Sequence, residues 1–251
     1  MSVCVNKPYD LKSNLEKKFP QKKILNLGKH GSDYPDQLKN LITFTEKTKF
    51  NKLIWFFYEG NDYETKLINN DLEKILLNKA KKNNFFFNSS ESSNFNYKIE
   101  KKFKITTLYK MKVWISELIA GFSTLITYFK TYPTLLDYKN YELALEASKV
   151  FLDQKQIKEK YLYYIPSWQK LTLYKIKESK YLNNHPKLAQ FKTLKNMVKV
   201  AAEKNGYTFV DGDKFFFNSQ NPLNVFYYEI NTHFNINGYK LLSESLSNII
   251  K

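Results

Sequence analysis

The stretch Leu53-Ile54-Trp55-Phe56-Phe57-Tyr58-Glu59-Gly60-Asn61-Asp62 decides how this chain is read. Leu53 to Tyr58 is short, continuously apolar and rich in aromatic rings, and Glu59-Gly60-Asn61-Asp62 stops it. An apolar run of that length, without polar alternation, predicts a central strand of a parallel sheet covered by helices on both faces.

Upstream of it, Leu11, Leu15 and Phe19 recur every four residues, which predicts a helix from Tyr9 to Phe19, ended by Pro20. Lys23-Ile24-Leu25-Asn26-Leu27 predicts a short buried strand that breaks into the turn Gly28 to Asp33. Asp36 is expected to cap a helix running to about Lys47, with Leu38, Leu41, Ile42 and Thr45 on one face. Downstream, about 63–140 is expected to form a largely helical insertion. Within it, Val113 to Phe129 is the most apolar segment, interrupted by Glu117 and Gly121. A helix buried against the domain is expected there, with a membrane-surface or partner contact as the alternative and no spanning helix.

Regular alternation then returns. Tyr141 to Gln156 is helical by spacing, and Lys160 to Ile165 is a strand stopped by Pro166. Ser167 to Asn184 is an aromatic-rich connection, and Pro186 opens a helix to Asn205 that Gly206 terminates. Tyr207 to Asp211 is a strand, and an amphipathic helix follows Gly238. Strands and helices in this order indicate an α/β domain with a mostly parallel, doubly wound sheet, taking in the whole of 1–251.

The net charge of +16 suggests a nucleic-acid partner, but the residue types argue against one. Every Lys/Arg residue is lysine, so the planar guanidinium suited to bidentate contacts with bases and phosphates is missing. The lysines lie in scattered pairs such as Lys17-Lys18 and Lys101-Lys102, as on a solvated surface. The single cysteine, Cys4, excludes an internal disulfide and a cysteine-based zinc site. The first residues lack the basic and apolar runs of a signal peptide. No cofactor is implied.

In parallel α/β sheets functional groups gather at the carboxyl ends of the strands. Three stretches fall where that rule points: Gly28 to Asp33, Glu59 to Asp62, and Asn231 to Gly238. Together they contribute glycine N–H groups, an asparagine amide and a histidine just before a helix. Those are the parts of an acyl-transfer site, with oxyanion donors and a general base.

Asn26-Leu27-Gly28-Lys29-His30-Gly31, then Tyr58-Glu59-Gly60-Asn61-Asp62, then His233-Phe234-Asn235-Ile236-Asn237-Gly238-Tyr239 resemble the second, third and fifth conserved blocks of the SGNH/GDSL hydrolases. The resemblance implies a three-layer α/β/α fold of flavodoxin-like type. It also implies an ester hydrolase or O-acyl transferase acting through a serine acyl-enzyme on an acylated small molecule or glycan. By the same resemblance Gly31 offers a backbone N–H and Asn61 its side-chain amide to the oxyanion. His233 is then the base that activates the serine and protonates the leaving alcohol.

The chain departs from that pattern in three places. Gly60 directly precedes Asn61, where the family has one residue between. Asn231 stands where the family has the aspartate that orients the histidine; its Oδ1 can accept from His233 but carries no charge, and Glu229 is the second candidate orienter. No Gly-Asp-Ser block precedes the first helix, and Ser2 lies a few residues past the position the nucleophile would take. The resemblance therefore leaves two readings, a frame whose true start lies upstream or a degenerate member that binds without turnover; on either, the chain as given lacks the expected nucleophile and is expected to be inactive, the activity belonging to a full-length form. His30 reads as an exposed residue of the glycine turn and His185, before Pro186, as a helix-entry residue, and Asp211 and Asp213 as a strand end and turn rather than metal ligands.

Overall fold

Lys52–Tyr58 forms strand β1, the first of three strands among the described residues of a computed structural model of the protein. The structure describes residues 7–28, 34–60, 62, 135–168, 170–171, 186–219, 222–226 and 233–251. All of them belong to the compact unit made by Met1–Lys81 and Pro133–Lys251. Strands β2 (Glu159–Ile165) and β3 (Thr208–Asp211) complete a sheet of order β1-β2-β3, with both pairings parallel. The chain is thus mixed α/β with a small parallel sheet. Lys52 faces Glu159 and Tyr58 faces Ile165 across the first pairing; Tyr161 faces Thr208 and Tyr164 faces Asp211 across the second.

Helices α1 (Leu11–Lys18) and α2 (Tyr34–Lys47) precede β1. Helix α3 (Leu135–Gln154) leads into β2, and α4 (Pro186–Lys204) into β3. After β3 come the short α5 (Asp213–Phe217), a 3₁₀ turn (Pro222–Val225), α6 (Ile236–Ser245) and α7 (Ser247–Ile250).

Alternation along the strands sends successive side chains to opposite faces. On one face Phe57 lies on Tyr164, ring centroids 5.5 Å apart, and edge-on to Tyr141 of α3 at 4.8 Å. Trp55 donates from Nε1 to Gln37 of α2 at 2.6 Å on the same side. On the other face Tyr58, Tyr163 and Ile165 share one apolar cluster with Leu11 and Leu15 of α1, Tyr239 and Leu242 of α6, and Ile250 of α7. Burying a side chain such as Phe57 or Leu242 contributes on the order of 1.5–3 kcal/mol.

Several expectations are corrected. Ile24–Leu27 belongs to no strand: Leu25 is 36% exposed and Asn26 Oδ1 accepts from Gly28 N at 2.9 Å. That local turn bond competes with a ladder. Among the described residues β1 pairs with β2 alone, and Leu53, Ile54 and Phe56 are half-buried. Helix α2 begins at Tyr34, which leaves Asp36 in its first turn instead of at its cap. Helix α3 starts six residues before the expected Tyr141 and α6 starts at Ile236, two residues before Gly238. The insertion around 63–140, with its Val113–Phe129 segment, lies outside the described residues except where α3 begins.

Candidate functional site

The three strands end close together in register, and their carboxyl ends hold a set of charged groups. Glu59 N donates to Ile165 O at 2.9 Å and Gly212 N to Tyr164 O at 3.0 Å, so the pairing continues past both outer strands. The Glu59 side chain turns inward and is fully buried. Its Oε2 accepts from Ser167 N at 3.0 Å and from Ser167 Oγ at 3.2 Å; its Oε1 accepts from Lys170 Nζ at 2.9 Å and from the Tyr164 hydroxyl.

Lys170, 3% exposed, also donates to Asp213 Oδ2 at 2.7 Å. Lys195 of α4 donates to the same oxygen at 2.7 Å and to Asp211 Oδ2 at 2.9 Å. Three carboxylates and two ammoniums therefore alternate from Glu59, in the interior, to Lys195 and Asp211, which keep partial exposure. The Tyr164 ring lies 5.2 Å below Lys170 Nζ and adds a cation–π contact. Burial pushes the Glu59 carboxyl pKa up, against the pull of the Lys170 charge and the hydrogen bonds it accepts. Burial works against the charge on Lys195 too, but the bonds it donates to Asp213 and Asp211 outweigh it and raise its pKa.

The turn after β1 is closed by Asp62. Tyr58 N, on the side of β1 away from β2, donates to Asp62 Oδ2 at 2.7 Å, and Asp62 N donates to Tyr58 O at 3.1 Å. Gly60 lies against the Tyr58 ring, where a Cβ would stand 2.2 Å from Cε1, so the turn has no room for a side chain there. Burial raises the Asp62 pKa to about 7, with the Tyr58 N–H opposing the shift.

His233 lies half-buried two residues before the N-cap of α6. Its neighbour Phe234 forms an antiparallel bridge with Phe226. Asn235 fixes the next position: its backbone N donates to Val225 O at 2.9 Å, and its Nδ2 to Asn224 O at 2.7 Å and Phe226 O at 3.0 Å. Its Oδ1 accepts from Gly238 N at 3.0 Å, which caps the helix. Phe234 stacks on Phe216 of α5 and meets Tyr239 edge-on at 5.9 Å.

Of the four residues expected to form the site, His233 lies within the described residues, while Gly31, Asn61 and Asn231 lie outside them. So do Ser2, His30, His185 and Glu229. Among the described residues no group of three or more His, Cys, Asp or Glu could hold a metal ion. What the sequence reading passed over is the lysine-bridged network. Asp211 and Asp213 read as a turn, and Glu59 as the residue that stops a strand. A charged residue directly after a continuous apolar run was the available signal. Comparison with family models, curated proteins and solved structures gives no match.

Proposed function

We propose that the chain carries an SGNH/GDSL-type acyl-transfer site on a three-layer α/β/α fold, serving an ester hydrolase or O-acyl transferase for an acylated small molecule or glycan. His233 is the general base in this reading, Asn61 and Gly31 are the oxyanion donors, and Asn231 orients the imidazole. A serine hydroxyl gives its proton to His233 as its oxygen attacks the acyl carbonyl. The tetrahedral oxyanion collapses and expels the alcohol, which takes that proton from His233. Water or an acceptor hydroxyl then releases the acyl group by the same route.

The observation that carries the reading is the shared packing of two of its blocks. Tyr58, which leads into Glu59-Gly60, and Phe234, which follows His233, are members of one buried cluster, and Phe234 stacks on the helix that follows β3. The test is hydrolysis of p-nitrophenyl acetate and of an acetylated oligosaccharide by the purified protein, with and without His233→Ala. A general base contributes about 10²- to 10⁴-fold, and a loss in that range is expected. Hydrolysis that is undiminished in the variant sinks the reading.

One observation favours a second reading: the chain contains no Gly-Asp-Ser sequence. On that reading the same site binds the acylated ligand without turning it over. Calorimetry then detects binding of the acetylated oligosaccharide that His233→Ala weakens, with no acetate released.

A further inference from the structure

We propose that Lys170 is a positioning residue whose buried ammonium, by bridging Glu59 and Asp213, fixes the turn after β1 relative to the helix on which the His233 loop packs. The purpose this assigns rests on the acyl-transfer reading; the linkage stands on the contacts. Glu59 is bonded directly to Gly60, and Asp62 closes the same turn onto Tyr58. Asp213 opens α5, and Phe216 sits one turn later on the same side of that helix. The Phe216 ring stacks on Phe234, next to His233. The path from Gly60 to His233 is therefore continuous: Glu59, Lys170, Asp213, α5, Phe216, Phe234.

Stability alone does not account for this arrangement. Removing two charges from water costs more than their attraction commonly returns, and well-packed apolar side chains of similar volume often serve a core as well or better. A bridge with fixed N···O distances supplies what apolar packing gives less well, a defined spacing between three strand ends. Acyl transfer depends on such spacing, because a misplacement of about 1 Å can cost about 10²-fold in rate. Ser167 and Tyr164 anchor Glu59 from β2 and the segment after it, so all three strands contribute.

The test separates local geometry from global stability in the full chain. Lys170→Met removes the bridge. Tyr164→Phe removes a single hydroxyl donor to Glu59, leaves every charge in place and guards against a variant that fails to fold. For each, the backbone amide resonances of Gly60 and Asp62 and the pH titration of the His233 ring are recorded beside the urea midpoint. Positioning predicts that both amide resonances and the His233 titration midpoint move, while amides in the middle of β2 stay where they are. Variants that lower the urea midpoint and leave those resonances and the His233 titration in place overturn the proposal. Movement in the Lys170 variant, in a protein whose ester hydrolysis and ligand binding ignore His233→Ala, upholds the linkage and sinks the acyl-transfer reading alone.

Discussion

Phe234 stacks on Phe216 with ring planes 10° apart and centroids 5.4 Å apart, both rings buried. This contact holds the His233 loop against α5, since Phe234 also meets Phe226 at 5.0 Å and Tyr239 at 5.9 Å. Truncating either partner leaves a cavity among rings that cannot collapse freely. Phe216→Ala and Phe234→Ala should each lower stability by about 3–5 kcal/mol in urea unfolding. Because the two touch, the double variant should cost less than the sum of the singles.

Asn235 joins the His233 loop to the 3₁₀ turn and to α6 with one side chain. Asn235→Ala removes the cap acceptor and both amide donors, and a loss of about 1–2 kcal/mol is expected. Asn235→Asp keeps the cap but places a charge where Nδ2 donated to Asn224 O and Phe226 O. It should be destabilising at neutral pH and recover as the carboxyl is protonated, which chemical denaturation at two pH values would reveal. Equal stability of the aspartate variant and the native protein at neutral pH would contradict the role given to the amide.

Lys170→Met leaves Glu59 and Asp213 buried without their shared cation, and should cost about 3–5 kcal/mol. Asp213 keeps Lys195, so Glu59 is the stranded charge; adding Glu59→Gln to Lys170→Met removes it and should recover part of that loss. If the double variant is less stable than Lys170→Met, the cost does not come from uncompensated charge.

Asp62 gives stability a pH dependence of its own. It is half-buried as a residue, and burial raises its pKa from 3.8 to about 7. Between those values the folded protein holds a proton that the unfolded chain releases, so raising the pH favours unfolding. The contribution of Asp62 is full below the lower value and is lost as pH rises through the upper one. Urea midpoints measured from pH 4 to 8 should show a decline in that window, and Asp62→Asn should flatten it. A decline that persists unchanged in the variant assigns it to another group.

The elements with strong local signals were legible in the sequence. Leu53 to Tyr58 is a strand, Lys160 to Ile165 lies within another, and Pro186 and Gly206 bracket α4. Lys23–Leu27 misled because so short a run does not separate a strand from a loop, and the side chain of Asn26 makes a local turn bond with Gly28 N instead. The ion network was hidden because Lys170 lies 111 residues from Glu59 and 43 from Asp213, separations that no local pattern encodes. His233 was legible as a chemical candidate from its position before a capped helix. The stacking that holds its loop was not, since Phe216 sits on a five-residue helix with little periodicity.

The cap of α6 also bears on how the protein ages. Asn237-Gly238 is a pair prone to deamidation, because a glycine N can attack the preceding side-chain amide and close a succinimide ring. Glycine is required at 238, since a Cβ there would stand 2.3 Å from Val225 O and 2.8 Å from Phe234. The vulnerable pair is therefore fixed by packing. The Gly238 N–H is held by Asn235 Oδ1 at 3.0 Å in the first turn of the helix, so the nitrogen that would attack the Asn237 amide is already engaged in a hydrogen bond. The bond that starts the helix thereby protects the backbone beside His233 from spontaneous chemical damage for as long as the helix stays closed.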